Sequence, residues 1–140
     1  MTRIALVGCV KTKNDMPMAA KDLYTSNLFR ERRRWAETKA DRWFILSAKF
    51  GLVDPDELIP PYDETLPASR ISRIPWATEI RRQLIATLRN LQGVEFEIHA
   101  GGRYYEEVKP MLEALGARVS VPLQHVSGTG TQVAWYRKRL

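Results

Sequence analysis

Cysteine and histidine are almost missing from this chain, with one Cys and two His in 140 residues. The lone Cys9 excludes an internal disulfide and suits a reducing cytoplasm, where we expect the protein to reside. So few sulfur and imidazole ligands leave little from which to build a zinc site. Carboxylates alone could still hold Mg²⁺, but no cofactor or metal is expected. Long apolar runs are also missing. None approaches the roughly 18–20 residues of a membrane span, so no membrane partner is expected. Met1-Thr2-Arg3 passes directly into an apolar segment, which argues against a leader peptide. There is no internal repeat, no linker, and no complete dinucleotide or phosphate-loop fingerprint. What is present is 44% hydrophobic and 27% charged, the ordinary balance of a globular protein. The length predicts one domain over residues 1–140.

The net charge of +6 is unevenly placed. Residues 1–50 hold 11 Lys and Arg against 5 Asp and Glu, and the remainder is balanced. A positive bias confined to one third of a chain points to a polyanion, either nucleic acid or a nucleotide.

Strands and helices should alternate. Arg3–Gly8 is an apolar run ending in glycine, expected as a central parallel strand. Trp43–Ser47 is the second buried strand. Val94–Ile98 alternates as a third, and Arg118–Leu123 forms a fourth at an edge. Asn14–Asp22 reads as a loop. Ser26 or Thr25 should cap a helix carrying Leu28, Phe29 and Trp35. Arg32 falls near the buried side of that helix. Pro75 suits the first position of a later helix, with Ala77, Ile80, Leu84, Leu88 and Leu91 as its apolar stripe and Gly93 as its stop. A helix after Gly101-Gly102 carries Pro110 and ends at Gly116. Thr129 or Thr131 should cap the last. The expectation is an α/β three-layer sandwich around a mainly parallel sheet of about four strands.

In a parallel sheet the carboxyl ends of the strands share one edge, where ligands bind. Four such ends carry Cys9–Lys13, Ser47–Tyr62, His99–Gly102 and His125–Gln132. Lys11 and Lys13 are two apart and would point the same way in an extended segment, as an anion cradle. Cys9 reads as a small packed residue, because no base partner is visible for it. Ser47, Lys49 and Gly51 follow the second strand without a break. Asp54, Asp56, Glu57, Asp63 and Glu64 then place five carboxylates within 11 residues. One of them could activate water, and spacing alone does not select which. Tyr62, stiffened by Pro60-Pro61, could stack on a base. Gly101 and Gly102 would open a helix whose free N–H groups face an anion. His99 is either a structural hydrogen bonder or an acid or base. Arg30, Arg33 and Arg34 fall together on one helix side.

Cys9-Val10-Lys11-Thr12-Lys13, Asp22-Leu23-Tyr24-Thr25-Ser26, Leu46-Ser47-Ala48-Lys49-Phe50-Gly51-Leu52 and Pro61-Tyr62-Asp63-Glu64-Thr65-Leu66 together resemble a family of small bacterial and phage proteins of unknown function. Gly128–Trp135 is similar to that family's C-terminal motif. The passage from Ser47 to Tyr62 is more distantly similar to the YaaA peroxide-stress family, whose members bind DNA. It is also similar to the uracil-DNA-glycosylase-like domain of archaeosine synthases. These resemblances imply a Rossmann-like or uracil-DNA-glycosylase-like fold and a link to nucleic acid. The leading expectation is a glycosylase-like hydrolase of a nucleobase or nucleotide N-glycosidic bond. Asp63 is the first choice as its catalytic carboxylate and Asp54 the second, with His99 as a further candidate. Lys11, Lys13 and Lys49 would hold phosphate, Ser47 and Gln132 the base edge, and Arg30, Arg33 and Arg34 the nucleic-acid backbone. A non-catalytic DNA- or RNA-binding protein and a small-nucleotide hydrolase or transferase are the alternatives.

Overall fold

The computed structural model describes residues 2–9 and 13–140. Four apolar segments form the parallel part of one sheet: β1 (Arg3–Gly8), β3 (Arg42–Ser47), β6 (Glu95–His99) and β7 (Arg118–Ser120). The sheet has five strands rather than four, in the order β4-β3-β1-β6-β7, with β4 spanning Gly51–Val53. The fifth, β4, is antiparallel to β3, pairing Ser47 with Gly51 and Ile45 with Val53. Gly51 has φ +74° at this hairpin, a conformation that glycine adopts without steric cost.

Chain crossovers leave β1 toward β3 and β6 toward β7. Adjacent β1 and β6 therefore flank the topological switch point, where ligands of open α/β sheets bind. The two strand ends approach closely there. A Cβ placed on Gly8 would lie 2.5 Å from the Cβ of Ala100, so only glycine fits.

Side-chain alternation assigns the two sheet faces. Ile4, Leu6, Phe44, Leu46, Phe96 and Ile98 face α3 (Arg70–Leu88) and α4 (Gly102–Ala114). Ile80 and Leu84 of the predicted stripe are fully buried there, each burial stabilising by roughly 1.5–3 kcal/mol. Ala5, Val7 and Ile45 face the other way, toward α2 (Asn27–Lys39). The last helix, α5 (Thr129–Arg139), packs beside α2 over Leu28, Leu123 and Tyr136. Ser26 caps α2 as expected, its hydroxyl accepting from the Phe29 N–H at 3.1 Å.

Several expectations are corrected. The predicted loop over Asn14–Asp22 contains β2 (Met18–Ala19) and the start of α1 (Ala20–Leu23), because Met18-Ala19 pairs with β5 (Leu58–Ile59). Helix α3 begins at Arg70, five residues before Pro75, which lies inside it. Tertiary contacts secure that early turn. Arg73 is buried, donating to the Ala68 carbonyl at 3.2 Å and facing Glu106 and Glu107, and Arg70 bonds Glu107 at 2.9 Å. The helix ends at Leu88, before Gly93. Pro110 likewise sits within a continuous α4. No threonine caps α5, whose N-cap is Gly128. Among the described residues, no helix is long and apolar enough to cross a membrane.

Candidate functional site

A cleft of about 180 Å³ opens at the carboxyl edge of the sheet. Cys9 from the end of β1, Arg103 and Tyr104 from the first turn of α4, Lys13, and the segment from Asp63 to Leu66 line it. It is smaller than the roughly 300 Å³ at which drug-sized pockets begin, so it suits one small polar moiety. Two cations and two carboxylates face the same space. Among the described residues, neither Asp63 nor Glu64 has a hydrogen-bond or ion-pair partner. Arg103 is oriented by the Leu66 carbonyl, which accepts from Nη1 at 2.9 Å. Gly101, the N-cap of α4, supplies no side chain to the first-turn N–H groups, so part of the positive helix end stays open beside the cleft.

One phenol, Tyr104, lines the cleft, and two more lie close to its lining residues Cys9 and Lys13. Tyr104 Oη lies 3.2 Å from Cys9 Sγ. Tyr62 Oη bonds Tyr24 Oη and accepts from Ser47 Oγ at 2.8 Å. Burial raises the pKa of Tyr24, Tyr62 and Tyr104 above the usual phenol value, and the Cys9 sulfur adds to the rise. These phenols stay protonated at neutral pH and act as O–H donors. Lys13 Nζ sits 4.5 Å from the centroid of the Tyr62 ring, a cation–π arrangement.

The antiparallel β4 splits the five carboxylates. It runs back from the cleft, so Asp54 lies beyond Val53, level with the amino half of β3. There Asp54 accepts from the Asp56 N–H, Asp56 pairs with Lys21, and β5 pairs with β2. Pro60-Pro61 then returns the chain to the cleft, where Asp63 and Glu64 line the wall. Asp54 is therefore a turn residue away from the site.

The other predicted site residues divide similarly. Lys13 and Asp63 line the cleft, while Lys11 lies outside the described residues. Ser47 is fully buried and its hydroxyl is used by the hairpin, accepting from the Lys49 and Phe50 N–H groups. Lys49 is exposed on that hairpin, over the Phe50 ring. The edge of Tyr62 packs on Phe50 and Tyr24, with Lys13 over its face, so its ring is not a free stacking platform. Gly101 and Gly102 open α4 as expected. Gln132 is occupied, accepting from Arg32 at 3.5 Å and donating to the Val126 carbonyl at 2.8 Å. Arg33 turns away from exposed Arg30 and Arg34 to bond Asp22, Glu37 and the Lys21 carbonyl.

His99 is buried on the opposite side of the switch point. Its Nδ1 lies 2.7 Å from Tyr136 Oη and its Nε2 3.1 Å from Glu97 Oε1. Burial lowers the imidazole pKa, against the opposing pull of Glu97. The neutral tautomer that donates from Nε2 and accepts at Nδ1 satisfies both contacts. Trp35 Nε1–H also donates to Glu97, at 2.9 Å. Arg32 completes this network, donating to the Gly8 carbonyl at 3.3 Å. Its burial near the helix underside agrees with its position in the sequence.

Residues 4–138 match the model described as "Family of unknown function (DUF6884)". The chain belongs to this family. It is also similar to the uncharacterized protein YfjM of Bacillus subtilis (strain 168), 31% identical over 137 residues that cover 93% of this chain and 89% of the relative. The family's description leaves function to the geometry. Among the described residues, no three of His, Cys, Asp and Glu form a group placed to hold a metal. Sequence reasoning passed over Arg103 and Tyr104, although they directly follow the two glycines at the helix start. It read Cys9 as a small packed residue; Cys9 is half-buried, packs against the core and also lines the cleft.

Proposed function

We propose that this member of the family is a nucleic-acid-related enzyme, a glycosylase-like hydrolase that cleaves the N-glycosidic bond of a nucleotide in the cleft. One observation carries the reading: carboxylates that have no partner among the described residues share a small space with two cations at the switch point. An oxocarbenium-like transition state needs a carboxylate beside it and a held water. Asp63 fills that role. Lys13, Arg103 and the open start of α4 would hold the phosphate. Water adds to the anomeric carbon, the carbon–nitrogen bond breaks, and the base leaves with a proton. The phenol of Tyr104 keeps the wall beside Cys9 neutral. The distant similarity of Ser47–Tyr62 to the uracil-DNA-glycosylase-like domain of archaeosine synthases, and to DNA-binding YaaA proteins, supports the same substrate class and a Rossmann-like or glycosylase-like fold.

The test is release of free base, followed by chromatography, from nucleoside monophosphates and from oligonucleotides with damaged bases. The wild type should release base, and Asp63→Asn should slow release by about 100-fold or more, the usual scale for a lost acid–base group. No release from any substrate, or unchanged release in Asp63→Asn, would contradict the proposal. Binding without turnover is the second reading, favoured by exposed Arg30 and Arg34.

A further inference from the structure

A second concavity, of about 400 Å³, runs along α5. Its character differs from that of the cleft. His125, Ser127, Thr131, Trp135, Lys138 and Arg139 line it, and no carboxylate does. Arg139 stacks its guanidinium 4.2 Å from the Trp135 ring centroid and donates to the Trp135 carbonyl at 3.1 Å, which holds the cation at the groove wall. Outside the groove, α5 also packs against α2. Arg137 Nε reaches 3.9 Å from Glu31 Oε2 at the seam of α5 and α2. Arg30 and Arg34 flank Glu31 on the exposed side of α2, and neither makes an ion pair among the described residues.

We propose that this groove and the exposed face of α2, the helix packed beside α5, bind the sugar–phosphate backbone of a nucleic acid strand. The proposal rests on the glycosylase-like reading and names the form in which the substrate arrives: as part of a polynucleotide. Charge complementarity selects the partner. Lys138, Arg139, Arg34 and Arg30 supply phosphate contacts, and the hydroxyls of Ser127 and Thr131 supply neutral hydrogen bonds of the kind made to phosphate and sugar oxygens. Such contacts fix register without reading sequence. The strand then presents one nucleotide to the cleft, which is too small to enclose more.

The experiment is fluorescence anisotropy with a labelled oligonucleotide at several salt concentrations, for wild type and the doubly substituted Arg34→Glu, Lys138→Glu protein. Both positions are exposed, so the melting temperature reports that the variant is folded. Wild-type affinity should fall steeply with salt. The variant should bind at least about tenfold more weakly, with the slope of log K against log salt reduced by about two, since each phosphate contact contributes nearly one unit. Equal binding by the two proteins, or binding insensitive to salt, would overturn the proposal. Displacement by polyglutamate as effective as by nucleic acid at equal charge would also overturn it, by replacing the partner with any acidic chain. The readout involves no turnover. Absence of base release would therefore sink the cleft reading without touching this one, and binding that survives the substitutions would sink this one alone.

Discussion

Two polar clusters meet at the ends of β1 and β6, and they are built in opposite ways. On one side His99 and Tyr136 are sealed, and His99 bonds both Tyr136 and Glu97. On the other side Asp63 and Glu64 face the open cleft, without partners among the described residues. A sealed polar group must be paired, because an unpaired buried donor or acceptor costs roughly 1–3 kcal/mol. An exposed carboxylate keeps its water and carries no such penalty. The first cluster therefore reads as structure that positions the strand ends, and the second as groups kept available for a ligand.

Substitutions sharpen that contrast. The largest stability loss should come from His99→Leu, which strands the Tyr136 hydroxyl and removes one donor from Glu97. We expect destabilisation of about 3 kcal/mol, read by denaturant unfolding. Tyr136→Phe removes a single partner, from His99 Nδ1, and should cost about 1–2 kcal/mol in the same assay. Asp63→Asn and Glu64→Gln should change stability by less than about 0.5 kcal/mol, as exposed positions do. A cleft substitution as destabilising as those in the sealed network would erase the distinction.

Titration offers a finer test. Burial holds the His99 imidazole below its ordinary pKa. As pH falls below about 6.5 the unfolded chain takes up this proton first. Stability present at neutral pH is therefore lost as pH falls from there toward the folded-state value. Glu97 is lowered chiefly by its bond from His99, so its own stabilising contribution is fully present above the ordinary carboxylate range and is lost as pH falls from there toward the lower folded-state value. The fall in melting temperature between about pH 7 and pH 5.5 should be smaller in His99→Gln than in wild type. An identical slope would mean that His99 is not held neutral by burial.

The sequence made the parallel frame legible because buried strands leave continuous apolar runs, as in Ile4–Val7 and Phe44–Leu46. It exposed the α2 cap at Ser26 and the inward Arg32, because helical spacing is local. It hid β4, since Gly51-Leu52-Val53 is too short for periodicity and follows Ser47 without a break. That hairpin is what removes Asp54 from the cleft. The early turn of α3 was hidden for a different reason. Ile71 and Ile74 are exposed there, and buried Arg73 is held by Glu106 and Glu107 from α4. Only tertiary contact reveals such a start. His99 was placed at the right strand end, whereas Gln132, expected in the loop after the fourth strand, lies in α5, and which way each side chain is committed depends on Tyr136, Glu97 and Arg32, distant in sequence.

The most direct test of the central claim, that the open cluster is the functional one, is a backbone-amide NMR titration with a panel of nucleoside monophosphates. Shifts concentrated at Cys9, Lys13, Asp63, Glu64, Arg103 and Tyr104 are the predicted result. Saturating nucleotide that shifts none of these amides, or that shifts only residues around Glu97, His99 and Tyr136, would contradict it.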